Sequence, residues 1–543
     1  MKAMPEEDRG PKPRVAVAAT GVANIASVLS ALARSGAEAF LATSPDEIRS
    51  APFAILPGVG AFGPAMERLA ALGLDRAFKD RVASGAPTLG ICLGMQLFCE
   101  SSEESPGVAG LGLVPARVRR FAVDLPLPEL GWNFVSRADA DTAPAEAGGP
   151  ATSGSVAAAA EGPAAERGGS TAAGSGSMTE RGGLVEPGWA YFANSYRLGS
   201  APPGFRAWTA VYGESFAAAL QGTMPHNAGL LLCQFHPELS GPWGLALYRR
   251  WLGLGERGSL AGQGQSVPRN ASIAGPAQMR SAGTALRIVP CLDLKNGRVY
   301  KGTRFENLRD LGDPVELALR YEAEGADELA MLDITATIEG RAASLEVLRK
   351  VRAVLGIPIV MGGGIRSDED AAAVIEAGAD RVAVNSAAVA DPELLDRLAA
   401  RFGTQCVVLA IDAARSTHGP SGGTGPWRVV VEAGRRATGL EAAAWAAEGA
   451  RRGAGEILLT SIDRDGTGTG YDLELVDAVA RSSGLPVIAS GGAAGGAEGM
   501  RHFAEAAGSG ARAVLAAGAF HRGELAIGDV KRYLAERRIG VRL

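Results

Sequence analysis

The sequence predicts two α/β domains, the second of them a (β/α)8 barrel. The chain has 543 residues, whereas a single hydrophobic core stops growing near about 250 to 300 residues. Short apolar runs alternate with Ala- and Leu-rich stretches, as they do in βα units. A polar stretch rich in Gly and Pro at 255–285 divides the chain near its midpoint and has the composition of a linker.

The first half is predicted to be an α/β domain over residues 14–254. Apolar runs precede stretches of helical periodicity, which is typical of a parallel sheet; the clearest runs are RVAVAAT, FAILPGVG and PTLGICLG. Residues 1–13 lack the apolar core of a signal peptide and are expected to be a disordered lead. At about 138–185, too few large apolar side chains are present to offset the entropy of ordering, so a surface insertion is expected.

The second half is predicted to be the barrel, over residues 286–543. Apolar runs recur eight times, each followed by helical sequence, over a length usual for this fold. The stretch GIPIVMGGGI is repeated as GLPVIASGGAA, and EAGADRVAVNSAAV as GSGARAVLAAGAF. This repeat predicts two half-barrels with a Gly-rich anion site each. A substrate with a phosphate at each end would fit such a rim.

Composition excludes several classes of function. A net charge of -5 gives no basic field for a nucleic-acid polymer, and no apolar stretch approaches the length of a membrane span. The five cysteines are scattered without metal-ligand spacing, which favours a reducing cytoplasm over a disulfide framework. We expect no metal, no membrane partner and a cytoplasmic location.

A cysteine flanked by glycines marks a candidate nucleophile. Cys92 lies in the stretch 90–94 between an apolar run and helical sequence, where glycines permit the sharp turn that exposes a side chain above a helix N-terminus. Such a position favours the thiolate. A buried structural cysteine is the alternative, and Cys99 on the same predicted helix keeps that interpretation.

His236 and Glu238 are candidate partners of this thiol. On an extended segment, residues two apart point to one side, so Glu238 can orient His236 while His236 exchanges a proton with Cys92. A surface histidine beside a solvated glutamate is the alternative. Gly58 and Gly60 end another strand, where a backbone N–H can stabilise an oxyanion, although an ordinary βα turn also explains them.

The stretches GICLGMQ, QFHPE and LPGVGAFG together resemble the class I glutamine amidotransferases. The resemblance implies that Cys92 forms a glutamyl thioester, that His236 is its acid and base, and that Glu238 orients His236. It also implies that the 58–60 segment is the oxyanion strand and that Gln96 contacts the substrate glutamine.

Two further stretches, PELGWN and YFANSYR, resemble the histidine-pathway subgroup of that family. Members of the subgroup often carry His at the positions of Glu129 and Asn194, and Lys at the position of Leu239. The three departures fall outside the predicted triad but bear on contact between the domains.

Asp293 and Asp412 are candidate acid and base groups in the barrel. By strand count they end the first and fifth strands, which face each other across the mouth where barrel active sites lie. Two carboxylates there could act on opposite faces of one substrate, although an aspartate at a strand end is also a common helix cap.

The other candidate residues of the rim belong to Gly-rich or polar turns that can bind phosphate through backbone N–H groups. Ordinary tight turns are the alternative for any one of them. The set comprises Gly363, Gly364, Asn385, Ser386, Thr460, Asp465, Gly466, Gly491, Gly492, Ala517 and Gly518.

Residues 286–543 closely resemble the cyclase family of imidazole glycerol phosphate synthases. The most specific stretches are PCLDLKNGRVYKGTRFENLRDLGDPVELA, ADELAMLDITAT and GAGEILLTSIDRDGTGTGYD. The resemblance implies that Asp293 and Asp412 are catalytic and that Lys301 closes over the substrate. It implies that ammonia converts a bis-phosphorylated ribotide, phosphoribulosyl formimino aminoimidazole carboxamide ribotide, to imidazole glycerol phosphate and aminoimidazole carboxamide ribotide, with no cofactor or metal.

Four charged residues begin barrel strands at the opposite end. Arg287, Glu328, Arg381 and Glu456 are predicted to form a ring of alternating charge, for which a solvated rim is the alternative. The resemblance implies an ammonia gate made of Arg, Glu, Lys and Glu, and Arg381 stands here in place of the Lys. Because arginine keeps its proton, gating by a neutral amine is not expected.

Two other hypotheses remain open on the sequence. A sugar-phosphate isomerase barrel of the histidine pathway shares the repeat and the two aspartates but needs no fused glutaminase. A non-catalytic scaffold would not need the intact triad. With the partner domain fused, we expect a monomer whose small-molecule partners are glutamine and the ribotide.

Overall fold

Two large β-sheets, one in each half of the chain, organise the structure. It is a computed structural model that describes residues 11–20, 24–58, 60–138, 183–255, 283–303, 306–339, 343–416, 425–432 and 434–543. The predicted lead, insertion and linker therefore lie almost entirely outside the described residues.

The N-terminal half is built on a nine-stranded mixed sheet of order β2-β1-β3-β4-β12-β11-β10-β7-β8, with a small sheet β5-β6-β9 beside it. Its strands are β1 Arg14–Ala18, β2 Glu38–Ala42, β3 Phe53–Leu56, β4 Thr88–Ile91, β5 Cys99–Ser102, β6 Val114–Arg120, β7 Glu129–Arg137, β8 Gly188–Asn194, β9 Tyr196–Arg197, β10 Phe205–Tyr212, β11 Glu214–Gly222 and β12 Leu230–Cys233. Its helices are α1 Ile25–Ser35, α2 Pro45–Ser50, α3 Phe62–Ala71, α4 Leu74–Ala83, α5 Leu93–Leu97 and α6 Gly241–Trp251.

The prediction of a parallel sheet is right for only part of this half. Strands β2, β1, β3, β4 and β12 are parallel, and β11, β10, β7 and β8 continue the sheet antiparallel. A single residue, Gly213, joins β10 to β11. Such a short connection can join only antiparallel strands, because a parallel pair needs a long crossover.

The predicted helix after Cys92 is shorter than expected. Helix α5 ends at Leu97, and Cys99 begins β5 rather than continuing the helix. The reason is competition for backbone acceptors, because the carbonyls of Leu97, Phe98 and Cys99 accept hydrogen bonds from N–H groups in the 111–114 segment. Cys99 is buried, as its structural interpretation predicts.

Eight parallel strands close into a barrel in the C-terminal half, as the eight apolar runs predict. The barrel strands are β13 Arg287–Lys295, β16 Leu329–Asp333, β17 Ile359–Gly362, β18 Arg381–Val384, β19 Val407–Arg415, β22 Glu456–Ser461, β23 Val487–Ser490 and β24 Ala513–Ala516. Pairing of β24 with β13, from Arg287 opposite Ala513 to Pro290 opposite Ala516, completes the closure. Two antiparallel extensions are β14 Arg298–Thr303 with β15 Glu306–Gly312, and β20 Trp427–Val431 with β21 Arg436–Glu441.

Helices surround these strands. They are α7 Pro314–Ala323, α8 Ala336–Glu339, α9 Leu345–Val354, α10 Asp368–Glu376, α11 Ser386–Ala390, α12 Glu393–Phe402, α13 Ala442–Arg451, α14 Leu473–Ser483, α15 Gly496–Gly508, α16 Gly518–His521 and α17 Ile527–Glu536. The alternation of β-strand side chains sends one set into the barrel, including Val289, Val360 and Leu458, and the other set against the helices.

The two halves pack against each other at the amino ends of the barrel strands. Trp132, Tyr191 and Leu239 of the first half belong to the same buried apolar cluster as the barrel core. The Trp132 indole donates to the Asp327 carbonyl at 2.9 Å, and the Arg542 guanidinium lies 4.0 Å from the centroid of the Trp132 ring. The interface is therefore partly apolar and partly hydrogen-bonded.

Helix α1 carries a second set of contacts with the barrel. Its N-cap residue Asn24 donates from Nδ2 to Asp380 Oδ1 at 2.6 Å, and the Ser27 hydroxyl donates to the same oxygen at 2.9 Å. The Arg352 guanidinium on α9 balances this buried carboxylate at 3.1 Å. The carboxylate precedes β18, so these bonds fix α1 beside the amino end of a barrel strand.

Candidate active sites

Cys92 lies at a strained turn between β4 and α5. Its φ is +52°, a value that is uncommon and costly for a residue with a side chain. Glycines on both sides permit the turn, since a Cβ on Gly94 would lie 2.0 Å from the Leu56 carbonyl oxygen and one on Gly90 would lie 2.7 Å from the Leu232 side chain. This is the geometry that the flanking glycines predict.

His236 and Glu238 form a buried pair beside this turn. His236 Nδ1 lies 2.8 Å from Glu238 Oε1, and both residues are 5% exposed. The expected extended segment is wrong in detail, because Pro237 opens a 3-10 turn, Pro237–Leu239, that carries Glu238 back toward the ring. Burial by itself lowers the pKa of His236, but the negative charges and hydrogen bonds of Cys92 and Glu238 outweigh it and raise the pKa well above its usual value.

The glycine segment predicted to stabilise an oxyanion packs directly on the cysteine turn. A Cβ on Gly58 would lie 2.3 Å from the backbone nitrogen of Gly94, so only glycine fits this approach. Gly60, Cys92 and Gln96 line one cavity of about 640 Å³. Residue 59 lies outside the described residues. The structure thus brings the predicted nucleophile, glutamine-contact residue and glycine segment together.

Three further residues at this site were missed by the sequence reasoning. Glu104 and Arg120 line the same cavity, and Glu104 accepts the Phe62 N–H at 2.8 Å. Burial raises the pKa of Glu104. Gln234 donates toward the sulfur of Cys92 at 3.6 Å. Glu104, after β5, and Arg120, at the end of β6, are isolated charged residues that carry no spacing signal. Gln234 lies within the stretch QFHPE and could have been found there.

A second cavity, of about 330 Å³, lies at the carboxyl ends of the barrel strands. Predicted rim residues that line it are Asp293, Thr460, Asp465, Gly466, Gly491, Gly492, Ala517 and Gly518. Thr467, Ser490 and Arg522 line it as well. Thr467 and Ser490 lie within the stretches GAGEILLTSIDRDGTGTGYD and GLPVIASGGAA, whereas no motif marks Arg522. Glycines at 466, 491 and 492 have positive φ values, a backbone conformation that residues with a side chain rarely adopt.

The two candidate carboxylates occupy different environments. Asp412 on β19 accepts a hydrogen bond from Asn385 Nδ2 at 3.0 Å. Burial, together with the charge of Asp465, raises the pKa of Asp412 to about 7 against the effect of its hydrogen bonds. Asp293 on β13 accepts from the Cys291 thiol at 3.3 Å. A carboxyl group with a pKa near 7 can hold or release a proton at neutral pH.

Five of the predicted residues at this end of the barrel are not among the lining residues of this cavity, namely Gly363, Gly364, Asn385, Ser386 and Asp412. Gly363 and Gly364 follow β17, and a Cβ on Gly363 would lie 2.2 Å from the Asp333 carbonyl oxygen. The hydroxyl of Ser386, at the start of α11, accepts the N–H of Glu432 at 3.0 Å. Lys301 lies on β14, in the hairpin that follows the first barrel strand.

The charged ring closes the opposite end of the barrel. All four residues are at most 2% exposed, so the ring is not a solvated rim. Arg287 Nη1 lies 2.6 Å from Glu328 Oε2, and Arg287 also pairs with Glu456. Arg381 completes the ring through ion pairs with both glutamates. Each guanidinium therefore bridges two carboxylates, and the ring has no net charge.

A small cavity lies between the cysteine site and this ring. Its free volume is about 30 Å³, enough for a molecule the size of water or ammonia. Residues of both halves enclose it: Asn24, Val28, Pro57, Gly58, Tyr191, Ala193, His236, Glu238 and Leu239 from the first, and Asp380, Arg381, Gln405 and Cys406 from the barrel.

Neither a membrane span nor a metal cluster is found in the part of the chain that the structure describes. Over those residues, no helix combines the length and apolar character needed to cross a bilayer. Within the same ranges, no three His, Cys, Asp or Glu side chains are grouped in a way that could hold a metal ion.

The fold defines a (β/α)8-barrel protein with a glycine-lined cavity at the carboxyl ends of its strands. Residues 287–526 match the family model described as "Histidine biosynthesis protein". The chain is similar to imidazole glycerol phosphate synthase subunit HisF from Mycobacterium tuberculosis, with 52% identity over 262 residues, covering 48% of this chain and 97% of that protein. HisF from Pyrobaculum aerophilum is 54% identical over 261 residues, with 48% and 99% covered. Through its C-terminal half, the chain belongs to the HisF family.

Proposed function

We propose that the chain is a fused imidazole glycerol phosphate synthase whose N-terminal half is a class I glutamine amidotransferase and whose barrel is the cyclase. The observation that carries the proposal is the small cavity between the two sites. It is bounded at one end by His236 and Gly58 of the triad site and at the other by Arg381 of the barrel ring. An ammonia-sized space at that position is what a glutaminase feeding a HisF-type barrel requires.

In the N-terminal half, the Cys92 thiolate attacks the carboxamide carbon of glutamine. The oxyanion is stabilised by the backbone N–H groups of Gly58 and Gly60, and His236 gives a proton to the departing ammonia. Water then cleaves the glutamyl thioester to release glutamate. The raised pKa of His236 supports this role because it keeps the imidazolium available to protonate the leaving group. Glu104, in the same cavity, suits the α-ammonium group of the amino-acid substrate.

Ammonia then passes through the small cavity toward the barrel ring. Four buried ion pairs close the ring, and neither arginine can shed its proton at neutral pH. Passage therefore requires one guanidinium to move, rather than an amine to be neutralised. Arg381 lines the small cavity as well as belonging to the ring, so it is the side chain whose displacement would open the path.

At the opposite rim, Asp293 and Asp412 act as acid and base on the ribotide. Because the pKa of Asp412 is raised to about 7, Asp412 can hold a proton near neutral pH and serve as the acid, which leaves Asp293 as the base. The Gly-rich turns of the second half-barrel, at 466 and 491–492, bind one phosphate, and the 363–364 turn with Ser386 binds the other. Amino-acid biosynthesis, specifically that of histidine, is the implied pathway.

The test is to supply nitrogen in two forms to the purified full chain. Cys92→Ser removes the thiolate, so we expect glutamine-dependent synthesis of imidazole glycerol phosphate to vanish. Ammonium salt at high pH is expected to restore it, since free ammonia can reach the barrel from solvent. Full glutamine-dependent activity in Cys92→Ser, or loss of the ammonia-dependent activity as well, would contradict this division of labour.

A further inference from the structure

A glutamine beside the nucleophile takes no part in the glutaminase steps proposed above. Gln234 follows the last residue of β12, Cys233, which pairs with Ile91 at the end of β4. The residues that follow the two strands are therefore neighbours, and the Cys92 N–H donates to the Cys233 carbonyl at 2.7 Å. This register places the fully buried Gln234 side chain against the thiol, with Nε2 3.6 Å from Sγ.

The orientation of the Gln234 amide is fixed by a chain of hydrogen bonds. The Tyr196 carbonyl can only accept, and it receives Gln96 Nε2 at 3.1 Å. The same nitrogen of Gln96 donates to Gln234 Oε1 at 3.0 Å. With its oxygen occupied in this way, Gln234 must turn its own nitrogen toward the sulfur. The backbone acceptor thus determines that the thiol faces an N–H donor and not a carbonyl.

A buried N–H donor affects the two forms of the thiol differently. The hydrogen bond is stronger to a sulfur anion than to a neutral thiol, so it favours ionisation. Gln234 is fully buried, so water does not take the place of its N–H donor when that donor is removed. We propose that Gln234 is a positioning residue that holds the Cys92 sulfur as the attacking thiolate and ties it to Gln96, the residue placed at the substrate glutamine.

This inference rests on the proposed glutaminase function, but its test can be separated from it. The pH dependence of Cys92 alkylation by iodoacetamide, followed on the Cys92 peptide by mass spectrometry, reports ionisation whether or not the protein hydrolyses glutamine. Gln234→Met keeps the side-chain volume and removes the donor. In this variant the pH midpoint of Cys92 alkylation is expected to rise by about one pH unit, so that alkylation below the midpoint becomes about tenfold slower. Gln234→Glu, which keeps the shape and presents carboxylate oxygen to the sulfur, is expected to raise it further.

Matched measurements distinguish positioning from a general effect on packing. Gln221→Met changes another glutamine of this half, whose amide oxygen accepts the Leu184 N–H, and is expected to leave the midpoint unchanged. In the two Gln234 variants, kcat/KM for glutamine is expected to fall about tenfold or more, with ammonia-dependent synthesis retained.

An alkylation midpoint in Gln234→Glu equal to that of the wild type would overturn the inference, even if Gln234→Met failed to fold. A wild-type protein that hydrolyses no glutamine, together with variants whose alkylation midpoints rise as expected, would instead refute the glutaminase proposal and leave the role of Gln234 in thiol ionisation intact.

Discussion

Replacing Asp412 with asparagine is expected to destroy cyclisation and yet stabilise the folded barrel at neutral pH. The pKa of Asp412 is raised from 3.8 to about 7, chiefly by burial. A tenfold change in a proton-binding constant corresponds to about 1.4 kcal/mol, so keeping this carboxylate ionised in the fold costs about 4 kcal/mol. Asparagine has nearly the same shape, can still accept from Asn385, and has no charge to bury.

Proton binding by Asp412 determines how the stability of the folded protein changes with pH. Between pH 4 and pH 7 the folded protein holds the Asp412 proton while the unfolded chain has released it. The stability contributed by the neutral carboxyl is thus complete below about pH 4 and is lost as pH rises through about 7. Asp412→Asn escapes this loss, so its advantage over wild type is expected to grow by about 3 kcal/mol from pH 5 to pH 8.

Urea unfolding of both proteins at four pH values between 5 and 8 measures this difference, with cyclase turnover in ammonia as the parallel activity assay. Asp463→Asn is the matched control, because Asp463 is an exposed aspartate at the same end of the barrel. A stability difference between Asp412→Asn and wild type that stays constant over this pH range would refute the reasoning. If the buried carboxyl of Asp412 ionises in this range, the free energy of unfolding of the wild type must change with pH.

Three other outcomes are expected. Asp293→Asn should lower ammonia-dependent cyclisation by roughly 10² to 10⁴, the usual contribution of a general acid or base; turnover at the wild-type rate would remove it from the mechanism. Arg381→Met leaves two buried glutamates facing one arginine and should lower the free energy of unfolding in urea by about 3 to 5 kcal/mol. Arg381→Lys keeps the positive charge and should lie much closer to wild type. An equal decrease in both variants would argue against charge balance as the cause. Trp132→Ala removes the indole that stacks on Arg542 and should lower glutamine-dependent synthesis about tenfold while ammonia-dependent turnover changes less than about twofold; parallel loss of both would indicate damage to the barrel itself.

The sequence alone predicted most of the barrel. Strand order in a (β/α)8 fold follows chain order, so eight apolar runs with helical sequence between them determine the topology. The same regularity placed Asp293 and Asp412 toward the carboxyl ends of β13 and β19, although the two strands continue beyond them to Lys295 and Arg415. The Cys92 turn was predictable for a similar reason, since glycines on both sides of one residue indicate a close backbone approach.

Only the tertiary structure decided what the sequence left open. The early end of α5 depends on distant backbone groups, because N–H groups of the 111–114 segment bond the carbonyls of Leu97, Phe98 and Cys99. Glu104 belongs to the first site because the segment after β5 reaches the cavity that Cys92 lines. The burial of the charged ring and the small cavity next to it depend on how the two halves pack, and no local pattern of residues records that packing, because it is a property of two surfaces rather than of one segment.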